Sequence, residues 1–309
     1  MGTLTADFGG IVPPLSTPMT EDFEIDTRSL QRLIEFQLEA GVHGLFVLGS
    51  TGEVAFLTDR QRATVLEVAV RTVAGQVPVI AGTIDMTTAR VVEHAKTAER
   101  AGVDALVVTA PFYTRIGQAE ILEHFRSVHD AVAIPLLAYD IPVAVHSKIE
   151  ASTLLRMVQE KLVSGLKDSS GDEANFRGLI LAKQNIHSDF LIFTGSELLV
   201  DAALMVGANG AVPGLGNIDP SGYVRLYQAA QAGDWQAARK EQERLYRFFN
   251  IVSVGLTRMG AGSSAMGAFK TALQLRGIIE TNVVGRPMIR LNNEEVERVR
   301  QALITAQLL

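Results

Sequence analysis

The feature that most constrains the fold is an alternation. Eight short β-branched or apolar runs are separated by amphipathic stretches: IVPPLST (11 to 17), GLFVLGS (44 to 50), PVIAGT (78 to 83), ALVVTAP (105 to 111), PLLAYDIP (135 to 142), VSGLKDS (163 to 169), FLIFTGS (190 to 196) and GAVPGLG (210 to 216). Between them, segments such as 27 to 41, 59 to 75 and 87 to 102 repeat apolar residues every three or four positions and end on Gly, the pattern of an amphipathic helix with its stop signal. Strands joined by single helices must run parallel, and runs this uniformly apolar suit strands covered on both faces. Eight such units predict a closed (β/α)8 TIM barrel, an α/β fold, with a doubly wound open sheet as the alternative. After residue 217 the pattern is wholly helical. The expected division is a barrel over 1–217 and, in the same structural unit, a closing helix and C-terminal helical extension over 218–309.

Composition narrows the function. The 309 residues carry a net charge of -6, which argues against nucleic-acid and anionic-membrane partners, since both reward basic patches. With no cysteine, disulfides, thiolate metal sites and a Cys nucleophile are excluded. The N-terminus has neither a basic leader nor a long apolar run, and no stretch approaches the roughly 20 apolar residues of a membrane helix. A cytoplasmic enzyme of small molecules is expected.

In a TIM barrel the chemistry sits at the C-terminal ends of the strands. Here those ends read ST (16, 17), GSTGE (49 to 53), GT (82, 83), APFYT (110 to 114), YDIP (139 to 142), KDSSG (167 to 171), TGSE (194 to 197) and PGLGN (213 to 217). They are rich in hydroxyls and glycines and contain one lysine. Their carboxylates, Glu53, Asp140, Asp168 and Glu197, are scattered over four loops. The histidines at 43, 94, 124, 129, 146 and 187 show no H-x-H or H-E-x-x-H spacing, so no metal site is expected. GSTGE matches neither the dinucleotide nor the P-loop glycine pattern.

Amine chemistry remains. A lysine pointing into a barrel loses water, which disfavours its charged form and frees a nucleophile for Schiff-base formation with a ketone. Pattern alone leaves a second possibility open, because a one-residue shift would turn Lys167 outward with its stem lying along the helices.

In combination, GSTGE, APFYT, YDIP, GLKDSSGD (165 to 172), TGSE and GANGAV (207 to 212) resemble the dihydrodipicolinate synthase/N-acetylneuraminate lyase family of Schiff-base barrels, in the same order and over nearly the whole chain. The resemblance implies that Lys167 bonds the keto carbon of pyruvate or another 2-oxo acid, with the covalent imine replacing any cofactor. It implies Tyr139 as the proton-transferring acid/base; the bland alternative is a core tyrosine. Ser50 and Thr51, following Gly49, match the hydroxyl pair that holds the substrate carboxylate, where otherwise there would be a plain turn. Tyr113 matches a tyrosine that reaches a neighbouring subunit's site and relays protons with Ser50 and Tyr139, unless it is only an interface residue. Gly195 and Val212 fall at substrate-lining positions. A homotetramer built from tight dimers is the implied assembly.

One departure bears on the substrate. Synthases of the family place an arginine two residues after the proline of the tyrosine motif, to grip the second substrate's carboxylate. Here that position is Ala144. Asp140 replaces a frequent Asn, and His146 follows nearby; both are open between substrate contact and loop residue. The expected activity is an aldolase or dehydratase of a 2-keto-3-deoxy sugar acid. The alternatives are a 4-hydroxy-tetrahydrodipicolinate synthase, with Arg115 as a displaced arginine, and a non-catalytic sensor or scaffold of the same fold.

Overall fold

The computed structural model describes residue 4, residues 8–186 and residues 189–309; His187 lies outside the described residues. All eight apolar runs hold a strand: β1 (Gly10–Ile11), β2 (Leu45–Val47), β3 (Val79–Gly82), β4 (Ala105–Thr109), β5 (Leu136–Asp140), β6 (Gly165–Asp168), β7 (Leu191–Thr194) and β8 (Gly210–Ala211). Every strand residue is buried, as parallel strands covered on both faces require.

The sheet order is β1-β8-β7-β6-β5-β4-β3-β2, all pairs parallel. Closure comes from the chain just beyond β1. Pro14 bridges Phe46 of β2, and Leu15 N–H donates to Phe46 O at 2.8 Å while Phe46 N–H donates to Pro13 O at 3.0 Å. The fold is a TIM barrel.

The helices are α1 (Thr27–Glu39), α2 (Asp59–Val73), α3 (Thr88–Ala101), α4 (Gln118–His129), α5 (Pro142–Val145), α6 (Ala151–Gln159), α7 (Glu173–Ile186), α8 (Val200–Met205), α9 (Pro220–Gln231), α10 (Trp235–Phe249), α11 (Ala261–Leu275) and α12 (Asn293–Thr305). Their ends follow local chemistry. Thr58 closes a capping box with Gln61 at the start of α2, and Gly102 in the left-handed region (φ 88°) ends α3. One departure from single crossover helices lies between β5 and β6, where Pro142 starts the four-residue α5 and the chain turns again before α6. Past β8, α9 starts with Asp219 as cap and Pro220 in its first turn, and α10 to α12 form the C-terminal helical extension. Among the described residues, no helix is long and apolar enough to cross a membrane.

Candidate active site

Register brings the two principal groups together. Tyr139 on β5 is the direct neighbour of Lys167 on β6, so both side chains project to the same side of the sheet. That side is the barrel interior: the Lys167 Nζ stands 4.0 Å from the centre of the Tyr139 ring and 4.9 Å from that of Phe46, on β2. The outward alternative for Lys167 is therefore excluded. Both residues are buried, Lys167 at 5% exposure and Tyr139 at 2%.

The Tyr139 phenol is under two opposing influences. Burial pushes its pKa up, while the charge of Lys167 and hydrogen bonds with Lys167, Ser50 and Ser169 pull it down, and the second group prevails. A phenol held below its usual range beside an amine is able to exchange protons with it.

Ser50 and Thr51 sit in the turn that follows β2, Ser50 exposed at the barrel mouth. The turn is tight because Glu53 N–H donates to Ser50 O at 3.0 Å and Val54 N–H to Gly49 O at 3.3 Å. At Gly49 a β-carbon would come within 2.6 Å of the Phe46 ring, so the close approach of loop to strand requires glycine. Thr17, at the end of the first apolar run, donates its hydroxyl to Gly52 O at 2.7 Å and fixes the far side of the turn. Gly195 follows β7 against Ser169; a β-carbon there would lie 1.9 Å from the Ser169 oxygen. Val212, buried after β8, donates its N–H to Thr194 O at 2.8 Å.

The remaining candidates separate. Tyr113 is 90% exposed with φ 78°, and is not among the groups that bond the Tyr139 phenol of its own chain. Asp140 is turned away from the barrel interior: its carboxylate takes the Lys148 ammonium at 2.9 Å and the Ile149 N–H at 3.1 Å, a loop-holding role. His146 is an exposed residue ending α5, and Arg115 is exposed. Ala144 lines a cavity of about 240 Å³ together with Ser50, Thr109, Phe112, Ile141 and Val145. Among the described residues, no Lys, Arg or His side chain lines it.

Two groups had no assigned role in the sequence reading. Ser169, from the KDSSG run, is a hydrogen-bond partner of the Tyr139 phenol. Glu197 accepts the Leu215 N–H; burial pushes its carboxyl up to about 7, against the downward pull of the Leu215 and Gly214 N–H groups and the charge of Lys167. Position at a strand end was the available signal for both. Among the described residues, no three His, Asp or Glu side chains gather as a metal-binding group.

The model of the Dihydrodipicolinate synthetase family matches residues 7–306. The chain belongs to this family. A 4-hydroxy-tetrahydrodipicolinate synthase from Desulfotalea psychrophila is 29% identical over 303 residues, covering 98% of each chain. An uncharacterized DapA-like lyase from Halobacterium salinarum is 34% identical over 268 residues, 87% of this chain and 84% of its own. Among solved structures, the E. coli K12 prophage protein YagE, a member of the dihydrodipicolinic acid synthase family in complex with pyruvate, superposes with a TM-score of 0.91 at 27% identity, over 98% of this chain and 99% of its own. Family members are class I pyruvate-dependent lyases that work through a Schiff-base lysine, and this chain is an enzyme of that kind.

Proposed function

We propose that the protein cleaves or dehydrates a 2-keto-3-deoxy sugar acid through an imine at Lys167. The observation that carries the chemistry is the buried Lys167 amine standing 4.0 Å over the Tyr139 ring, with the phenol bonded to Ser50 and Ser169. The Lys167 nitrogen attacks the keto carbon, and the carbinolamine hydroxyl leaves as water with a proton from Tyr139. For an aldolase, the resulting phenolate then takes the proton of the substrate C4 hydroxyl while the C3–C4 bond breaks. Its electron pair passes into the iminium as an enamine, and the aldehyde departs. Protonation at C3 and hydrolysis of the imine return pyruvate and the free lysine.

The Ser50 and Thr51 hydroxyls, on a turn whose backbone is already fixed, are assigned to the 2-oxo-acid carboxylate. Gly195 and Val212 line the substrate path. The exposed Tyr113 is assigned to a second copy of the chain, whose Ser50 and Tyr139 it would join in proton relay within a homotetramer. A neutral tail is favoured by the cavity that Ala144 shares with Ser50, whose lining among the described residues carries no Lys, Arg or His side chain to meet a second carboxylate.

One observation favours a second reading. A relative matching nearly end to end carries the name 4-hydroxy-tetrahydrodipicolinate synthase, which would make aspartate semialdehyde the partner of pyruvate here too. The test is a panel of 2-keto-3-deoxy acids read by pyruvate release, beside condensation of pyruvate with aspartate semialdehyde. A higher kcat/KM for the condensation than for every keto-deoxy acid would overturn the substrate assignment. Borohydride reduction in the presence of pyruvate should label Lys167; no label would remove the imine mechanism with it.

A further inference from the structure

We infer that Lys270, in the C-terminal extension, is a positioning residue for the substrate-carboxylate turn and acts through Glu53. The inference rests on the assignment of Ser50 and Thr51 as that site. Glu53 closes the turn in the left-handed region (φ 60°), an uncommon conformation for a residue with a side chain. Its carboxylate is buried and forms an ion pair with the Lys270 ammonium on α11. The pair is fully enclosed, with side-chain exposures of 1% for Lys270 and 0% for Glu53.

Both ends are bonded further within the extension. Lys270 Nζ donates to Val283 O at 2.7 Å, and the second Glu53 oxygen accepts the Gly285 N–H at 2.6 Å. One carboxylate thus grips α11 and the segment before α12 at once.

Stability alone does not account for such a pair. Removing two charges from water costs as much as their attraction returns, and a well-packed apolar pair in the same place is often as stable or more so. What a buried pair does supply is a single permitted geometry, because any other leaves a charge without its partner. Here the fixed geometry is delivered to residue 53, three positions from Ser50. Other ties of the turn run within itself, through Glu53 N–H to Ser50 O and Val54 N–H to Gly49 O, to the first barrel segment, through Thr17 to Gly52 O, and to α2, through Arg62 to Val54 O at 3.0 Å. Hydroxyls that must meet a carboxylate lose binding steeply with displacements of about 1 Å. The extension therefore reaches the substrate-carboxylate turn through the Glu53 side chain.

The test is borohydride trapping of the whole protein with pyruvate as probe, comparing half-saturating concentration with maximal labelling of Lys167. The double variant Glu53→Gln with Lys270→Met removes both charges and keeps an acceptor for the Gly285 N–H, so that no ion is stranded. We expect its pyruvate half-saturation to rise at least tenfold while maximal labelling stays near that of the parent. Glu53→Gln alone should raise it in the same direction, and guards against a double variant that fails to fold. A folded variant with parental half-saturation overturns the inference, as does a loss of labelling that only follows the folded fraction. Absence of label in the unsubstituted protein is a separate result: it removes the carboxylate-site assignment itself.

Discussion

Tyr139 and Lys167 occupy one register position on adjacent strands, so the proposed acid/base and nucleophile cannot move apart without the sheet moving. Their proton exchange depends on a single oxygen. Tyr139→Phe deletes it and leaves the ring against Lys167, so substrate should still dock while kcat falls by roughly 10²- to 10⁴-fold, the usual worth of a positioned acid/base. Steady-state kinetics checks this, and an unchanged kcat would reduce Tyr139 to packing. Position 144 decides a different quantity. Ala144 stands exposed on α5 and borders the same cavity as Ser50, with room there for a longer side chain. In Ala144→Arg, a guanidinium would offer a charge-assisted bond worth about 1.5 to 3 kcal/mol to a carboxylate on the incoming aldehyde. That is roughly a 10- to 100-fold gain in kcat/KM for aspartate semialdehyde, with none for a neutral aldehyde. An equal change for both would mean that the substitution alters cavity shape and not charge recognition.

Among elements, strands and helices differ from loops in how well the sequence announces them. Each apolar run holds a strand because a parallel strand covered on both faces is mostly apolar except where it carries site residues at its end, and Gly marked the helix ends because it accepts the left-handed closing residue. The inward direction of Lys167 was not readable in this way: strand parity turns on one residue, and the contact with Phe46 of β2 is what decides it. The Glu53–Lys270 pair left no trace either, since it joins segments remote in sequence with no spacing rule to connect them. Asp140 and His146 were ambiguous because loop geometry, and not pattern, aims them. The junction of β6 and β7 shows how closely such elements meet. In Gly195→Ala the new methyl would collide with the Ser169 hydroxyl and, at 3.1 Å, crowd the Asp168 carbonyl. Ser169 would lose its bond to the Tyr139 phenol, a bond that favours the ionised form, and the phenol pKa should rise. The expected result is a lower kcat with the alkaline limb of its pH profile moved upward. Ser169→Ala should do the same, and the double variant should be little worse than either, because both act through one hydrogen bond. Fully additive losses would show that Gly195 acts elsewhere.

At the scale of the whole molecule, two buried titrating groups shifted in opposite directions give folding a pH dependence of predictable sign. Burial holds the Glu197 carboxyl up to about 7 from an ordinary 4.5, and drives the His124 imidazole down to about 4 from 6.5. Between about 4.5 and 7 the folded chain keeps the Glu197 proton that the unfolded chain has released, so this group makes stability fall as pH rises, with no further change above. Between about 4 and 6.5 the unfolded chain protonates His124 and the folded chain does not, so this group makes stability fall as pH drops. Each slope is at most roughly 1.4 kcal/mol per pH unit, and over their shared window they oppose one another. Removing one should expose the other. Relative to the parent, Glu197→Gln should gain stability progressively from pH 4.5 to 7. His124→Gln, which keeps a polar group near the Thr88 hydroxyl that His124 Nδ1 meets at 2.9 Å, should instead lose its relative disadvantage as pH falls from 6.5 to 4. Urea unfolding of the three proteins across pH 4 to 8 measures both differences, and because all other groups are common to the three, they cancel. If either difference were flat across its window, the corresponding group would be titrating in the folded protein as it does in water, and its burial would not be setting its proton affinity.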